Sequence, residues 1–164
     1  MDKRQGNLRY QFHRDDLADL LGEVVDSYRN SFSQQSISLE THLPDRAVID
    51  MDPVRIRQLL DNLMQNSLKY TASGGTLSLS LTQQSGQWEL LVDDSAPGVP
   101  DDALPRLFDH LYRVESSRNR RTGGAGLGLA ICQRIVEAHG GTIAAAHSPL
   151  GGVRICITLP GGAP

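Results

Sequence analysis

The sequence predicts an α+β fold: a two-layer α/β sandwich in which three helices cover one face of a mixed, mostly antiparallel sheet. Three observations lead there. Apolar residues recur at spacings of three and four in three long segments, and they alternate with period two in several short ones. The two kinds of segment follow one another without regular β-α-β alternation and with two candidate hairpins, which disfavours a doubly wound parallel sheet. A length of 164 residues suits one domain, 1–164, with a single sizeable core.

Leu8 to Phe12 alternates weakly, as a short strand does. Asp15 and Asp16 offer an N-cap to a helix whose apolar residues are Leu17, Leu20, Leu21, Val24, Val25 and Tyr28. Ile37 to Leu43 alternates with period two and ends at Pro44-Asp45. A short apolar piece, Ala47 to Ile49, precedes Asp52-Pro53, a cap and first-turn pair. The helix that follows runs to Tyr70 with Ile56, Leu59, Leu60, Leu63 and Met64 on one face.

Ser73-Gly-Gly75 turns the chain into a strand over Thr76–Leu81. The turn Gln84–Gln87 then leads to a more continuously apolar strand over Trp88–Val92, with Asp93 as an acidic strand end. A short helical piece is expected around Ala103–Phe108, and a third helix over Leu127–His139 stopped by Gly140-Gly141. Strands over Thr142–His147 and Val153–Leu159 complete the set.

Composition removes several function classes. With 16 Lys+Arg against 19 Asp+Glu the net charge is −3, which argues against a general nucleic-acid binder. No stretch approaches the about eighteen apolar residues of a membrane span, and Met1–Tyr10 has no secretory signal pattern. Two cysteines, Cys132 and Cys156, are too few for a disulfide framework or a cysteine zinc site and fit a reducing compartment. Glycine is in excess, with 16 residues, about a tenth of the chain against the usual ~7%.

Three features can carry chemistry. On the second helix Asn62, Asn66 and Lys69 project from neighbouring positions; Asn offers Mg²⁺ a hard neutral oxygen and Lys offers phosphate a point charge. An isolated Asn-x-x-x-Asn is more often a solvated helix side. Asp93-Asp94-Ser-Ala96-Pro-Gly98-Val99-Pro100 follows a buried-looking strand, where an Asp can accept from an exocyclic amine and Gly98 lets the backbone turn close to a flat ligand. Its bland reading is an acidic turn. Gly123-Gly124-Ala125-Gly126-Leu127-Gly128-Leu129 precedes a helix, below Arg113, Arg118, Arg120 and Arg121, as an anion-binding loop does; the alternative is a solvated loop. It is neither a Walker A loop nor a Rossmann fingerprint.

In order and spacing these features resemble the N, G1 and G2 boxes of the GHKL ATPase superfamily, and within it the catalytic ATP-binding domain of bacterial sensor histidine kinases. The N box is Gln58-Leu-Leu-Asp-Asn62-Leu-Met-Gln-Asn66-Ser-Leu-Lys69-Tyr70-Thr71, the F box is similar to Leu107-Phe-Asp-His-Leu111-Tyr112-Arg113, and Gly151-Gly152 with the final strand matches the last element. Asp94–Gly98, Ser116–Arg120, Val136–His139 and Ala145–Pro149 are worded most like the envelope-stress members of that family.

The resemblance implies a Bergerat fold with a flexible ATP lid, Mg-ATP as cofactor, and donation of the γ-phosphate to a histidine on a separate dimerisation domain in two-component signalling. A regulatory ATP/ADP-binding module without phosphotransfer is the alternative. By motif position Asn66 coordinates Mg²⁺, Asn62 supports the phosphates, Lys69 contacts them and Tyr70 lines the site. Asp94 takes the adenine amine, flanked by Ala96, Gly98 and Val99. Tyr112, Arg113 and the run Gly124, Ala125, Gly126, Leu127, Gly128 and Leu129 form the lid side, with Arg118 or Arg120 at the γ-phosphate.

The family's G1 box has glycine where Ala96 stands, and Leu111 is a softer departure in the F box. ATPases of the gyrase and Hsp90 kind carry a glutamate base at the position of Asn62, so hydrolysis is disfavoured here. None of His13, His42, His110, His139 and His147 sits in a phosphoacceptor motif, and they read as surface or packing residues. The chain is therefore expected to be the cytoplasmic catalytic piece of an inner-membrane sensor, without the phosphoacceptor, sensor and transmembrane parts. It would meet its own kinase's phosphoacceptor domain directly and a response regulator indirectly, with no nucleic acid and no membrane insertion.

Overall fold

Alternation along the strands decides which side of the sheet is covered. In the computed structural model, which describes residues 2–5, 8–95, 97–108 and 125–161, Leu77, Leu79 and Leu81 of one strand share a face with Leu90 and Val92 of its neighbour and with Ile155 and Ile157 beyond. All are buried, and three helices close over them. The intervening residues, among them Ser78, Ser80, Glu89 and Thr158, lie on the other face and are partly exposed.

The elements in chain order are β1 (Asp2–Gln5), β2 (Leu8–Gln11), β3 (His13–Asp16), α1 (Leu17–Gln34), β4 (Ser38–His42), β5 (Val48–Met51), α2 (Pro53–Tyr70), β6 (Thr76–Gln84), β7 (Gln87–Ser95), a 3-10 turn (Asp101–Arg106), α3 (Ala125–Ala138), β8 (Thr142–His147) and β9 (Gly151–Pro160). The main sheet has the order β4-β6-β7-β9-β8. Only β4–β6 is parallel, with Ser38 opposite Thr76; β6–β7 and β8–β9 are the two expected hairpins. Two small antiparallel pairs that the sequence did not predict, β1–β2 and β3–β5, stand beside it.

The helix starts are set by side chains. Asp16 Oδ1 accepts from the Ala18 and Asp19 amides at the head of α1, and Asp52 Oδ1 accepts from Val54 and Arg55 at the head of α2. Asp52 does more than cap: its second oxygen accepts from the Gln11 amide at 2.8 Å, tying β2 to α2. The amide of Asp52 donates to His139 Nε2 at 3.0 Å, and His139 Nδ1 lies 2.8 Å from the Ile135 carbonyl. A carbonyl only accepts and an amide only donates, so these two bonds select the neutral imidazole protonated on Nδ1. His139 is buried with the rings of Tyr10 and Phe12 edge-on to it, a packing histidine as expected.

Three expectations need adjusting. The helical piece near Ala103 is a 3-10 turn, because Pro105 within it removes a backbone donor. The helix α3 begins at Ala125, so Gly126 and Gly128 lie inside its first turns instead of in a loop before them. The strand β7 continues through Ser95, so Asp93 is a paired interior residue and not its acidic end.

Candidate nucleotide site

The register of β7 separates its two acidic residues. Asp94 is opposite Leu77, whose side chain is in the core, so Asp94 points toward the helix layer; Asp93, opposite Ser78 and Arg154, points outward. The Asp94 Oδ1 atom accepts from the Val153 amide at 2.8 Å. Burial pushes the Asp94 carboxyl up to about 6; the Val153 hydrogen bond opposes this and the charge of Asp93 adds to it. The result is a half-buried carboxylate with one oxygen fixed by β9 and a desolvation cost that a ligand donor can relieve.

Two glycines make this approach possible. A Cβ on Gly152 would run into Asp94 Oδ1 and the backbone oxygens of Asp94 and Ser95, at the register shift between Asp93 and Ser95. A Cβ on Gly75 would collide with Ser95 Oγ, which accepts from the Thr76 amide at 2.9 Å. Thr71, the C-cap of α2, borders the same glycine. The end of α2 and the end of β7 therefore meet across Gly75, which brings the N-box helix to the Asp94 end of the sheet.

Contacts between α2 and α3 fix the other wall. Asp52 is level with His139, and Leu59, seven residues on, is level with Cys132, seven residues back, where Cys132 Sγ lies 3.8 Å from the Leu59 carbonyl. The helices are thus antiparallel. Continued toward the start of α3, this antiparallel course runs the Asn66 end of α2 toward the Ala125 end of α3, where helix amides have no intrahelical acceptor. Asn62 hydrogen-bonds Cys132, whose thiol burial pushes up to about 12 and keeps unreactive.

The remaining predicted residues fall into four groups. Asn66 and Tyr70 are half-buried and Lys69 is exposed, all on α2; Tyr28 and Gln65 hydrogen-bond each other on the side that meets α1. Gly98 and Val99 follow β7, Gly98 exposed and close to the β8–β9 turn. Ala125, Gly126, Leu127 and Gly128 belong to the backbone of α3, and Leu129 packs half-buried against the core. Ala96, Tyr112, Arg113, Arg118, Arg120 and Gly124 lie outside the described residues.

The donor set fits Mg²⁺ carried by a nucleotide better than a resident metal. Among the described residues no group of three His, Cys, Asp or Glu side chains could hold a metal. Mg²⁺ commonly takes one or two protein oxygens and completes its shell with waters and phosphate oxygens. Asn66 offers one such oxygen from α2.

What sequence reasoning missed is the contribution of β9: the Val153 amide, Gly152, and Arg154, which holds Asp93 through two hydrogen bonds. The Gly151-Gly152 pair before an alternating strand was the available signal; a backbone amide leaves none.

Comparison with known proteins decides the family. The profile described as histidine kinase-, DNA gyrase B-, and HSP90-like ATPase matches residues 51–163. The chain belongs to this family. It is 49% identical to the signal transduction histidine-protein kinase BaeS of Escherichia coli K12 over 156 residues, covering 95% of this chain and 33% of that protein. It therefore spans about a third of that relative's length. The catalytic domain of the histidine kinase ThkA superposes with a TM-score of 0.79 at 25% identity, covering 93% of this chain and 97% of the other. Full-length ShkA, solved in complex with AMPPNP, gives 0.77 at 28% identity, covering 93% and 32%. The chain is thus a histidine kinase ATPase domain of the two-component type, with the α/β sandwich of such catalytic domains. Among the described residues no helix is long and apolar enough to cross a membrane.

Proposed function

We propose that the chain binds Mg-ATP between α2 and the Asp94 end of the sheet and donates the γ-phosphate to a histidine on a separate dimerisation domain of the same kinase. The observation that carries the reading is Asp94: a half-buried carboxylate at the strand end, one oxygen held by the Val153 amide, its charge uncompensated among the described residues. An exocyclic adenine amine is a donor from which such an oxygen accepts, and ShkA was solved in complex with AMPPNP.

Asn66 would hold Mg²⁺, which supplies charge neutralisation for the transferring phosphoryl group. Lys69 adds a point charge from the next turn of α2, and the first amides of α3 offer donors to phosphate oxygens. Tyr70 lines the base. Asn62 stands one turn before Asn66 and hydrogen-bonds Cys132, so no carboxylate there abstracts a proton from water. Transfer to an imidazole needs positioning and charge more than a protein base, and these residues supply that.

From Arg118 or Arg120 the reading takes a cation for the γ-phosphate. The whole kinase would work as a membrane-anchored sensor with this domain in the cytoplasm, passing phosphate to a response regulator, and the motif wording of Asp94–Gly98 and Ser116–Arg120 is what favours an envelope-stress signal. Calorimetric titration with ATP and ADP, with and without Mg²⁺, tests the site: Mg-dependent binding supports it, and no nucleotide binding refutes it.

A further inference from the structure

The outer face of β7 carries an acidic residue that the nucleotide reading does not use. Asp93 is 8% exposed, and Arg154 grips it with both arms, Nε to Oδ1 at 2.7 Å and a terminal nitrogen to Oδ2 at 3.1 Å. Arg154 directly follows Val153, whose amide holds Asp94. Two consecutive residues of β9 therefore fix two consecutive carboxylates of β7, one on each face of the sheet, at the point where the β7–β9 register shifts.

A bidentate Arg–carboxylate pair fixes geometry as well as charge. It locks the alignment that aims the Val153 amide, and it neutralises an anion one residue from Asp94. The Val153 amide on β9 faces Asp94, and the Asp93 charge acts on it from the opposite face of β7; Glu89 of β7 and Cys156 of β9 face Arg154 on that outer side. Asp93 disfavours the charged form of Asp94 even while paired, so an unpaired Asp93 would disfavour it more.

We propose that the Asp93–Arg154 ion pair tunes Asp94, with Arg154 as a positioning residue that sets the pH range over which the chain distinguishes adenine from other bases. This rests on the reading of Asp94 as the acceptor of the adenine amine. Arg154→Gln leaves a buried anion beside Asp94 and narrows the range from the acid side. Asp93→Asn removes the anion and widens it. The double variant carries neither charge.

The test is the ratio of dissociation constants for Mg-inosine triphosphate and Mg-ATP from pH 5 to 8, in which the ionisation of triphosphate and metal cancels. The wild-type ratio is expected to fall on the acid side. Its midpoint should rise by about half to one pH unit in Arg154→Gln, fall in Asp93→Asn, return toward wild type in the double variant and stay in place in Arg154→Lys. Midpoints that do not move, or a double variant no better than Arg154→Gln, overturn the tuning while leaving ATP binding intact. A wild type that binds no ATP overturns the functional reading itself. If Arg154→Gln fails to fold, Asp93→Asn decides: an unchanged midpoint overturns the proposal.

Discussion

Replacing Asp94 by Asn separates what the carboxylate costs the fold from what it gives the ligand. In the folded chain Asp94 titrates near 6 against an ordinary 3.8, a difference of roughly 2 units. Because the folded value is the higher one, the folded state holds a proton between about pH 4 and 6 that the unfolded state has lost. Stability falls as pH rises through that window, and the deficit is complete above pH 6. At ~1.4 kcal/mol per unit the deficit is at most about 3 kcal/mol, and partial exposure of the site brings it nearer 1–2.

Asn carries no charge and can still accept from the Val153 amide, so Asp94→Asn should be more stable than wild type at pH 7.5. A gain of 1–2 kcal/mol corresponds to a melting temperature higher by about 2–8 °C. The gain should vanish near pH 4. With its oxygen on Val153, the Asn presents an NH₂ to the adenine amine, donor against donor, and ATP affinity should fall at least about tenfold. Thermal melts across pH and ATP titration read both effects. A variant less stable than wild type at neutral pH, or one that keeps its ATP affinity, would refute the reasoning.

Other substitutions probe separate parts. Asn66→Ala should abolish the Mg²⁺-dependent part of ATP affinity while leaving the melting temperature within about 2 °C, measured by titration with and without chelator. His139→Ala removes the partner of the Asp52 amide and opens a cavity under Tyr10 and Phe12, and should cost about 2–4 kcal/mol in a urea melt. Gly152→Ala places a methyl against Asp94 and the β7 backbone and should weaken ATP binding more than inosine triphosphate binding, read from the two dissociation constants.

Much of this fold is legible because local signals agree with tertiary structure. Asp16 and Asp52-Pro53 mark the starts of α1 and α2, and period-two alternation marks β6 and β9, which bury one face each. The β2 strand was legible from the alternation over Leu8–Phe12, but its pairing with β1 and the β3–β5 pair were not: each strand has four residues, and His13-Arg-Asp-Asp16 has no alternation to show. Long-range pairing with β5 makes it a strand. The start of α3 was misplaced because Gly126 and Gly128 are poor helix formers, and in the fold α3 is held against α2 through Cys132 and His139.

At the site, residue types and spacing singled out the Asn62, Asn66 and Lys69 helix face and the Asp93-Asp94 turn, and the family resemblance was needed to choose Asp94 and to give each residue a role. Their mutual placement was not legible. The step of seven linking Asp52 and Leu59 to His139 and Cys132 is a property of helix packing, and the Val153 amide that fixes Asp94 lies 59 residues away from it in sequence. Asp93 looked like a solvated strand end because Arg154 is 61 residues distant.

The claim that this chain is a phosphoryl donor to a histidine elsewhere is tested most directly by incubating it with γ-labelled ATP and Mg²⁺, alone and with a dimerisation and phosphoacceptor fragment of its own kinase. Acid-labile label is expected on the fragment's histidine and none on this chain. Label on the chain itself, or intact ATP binding with no label on the fragment, would contradict it.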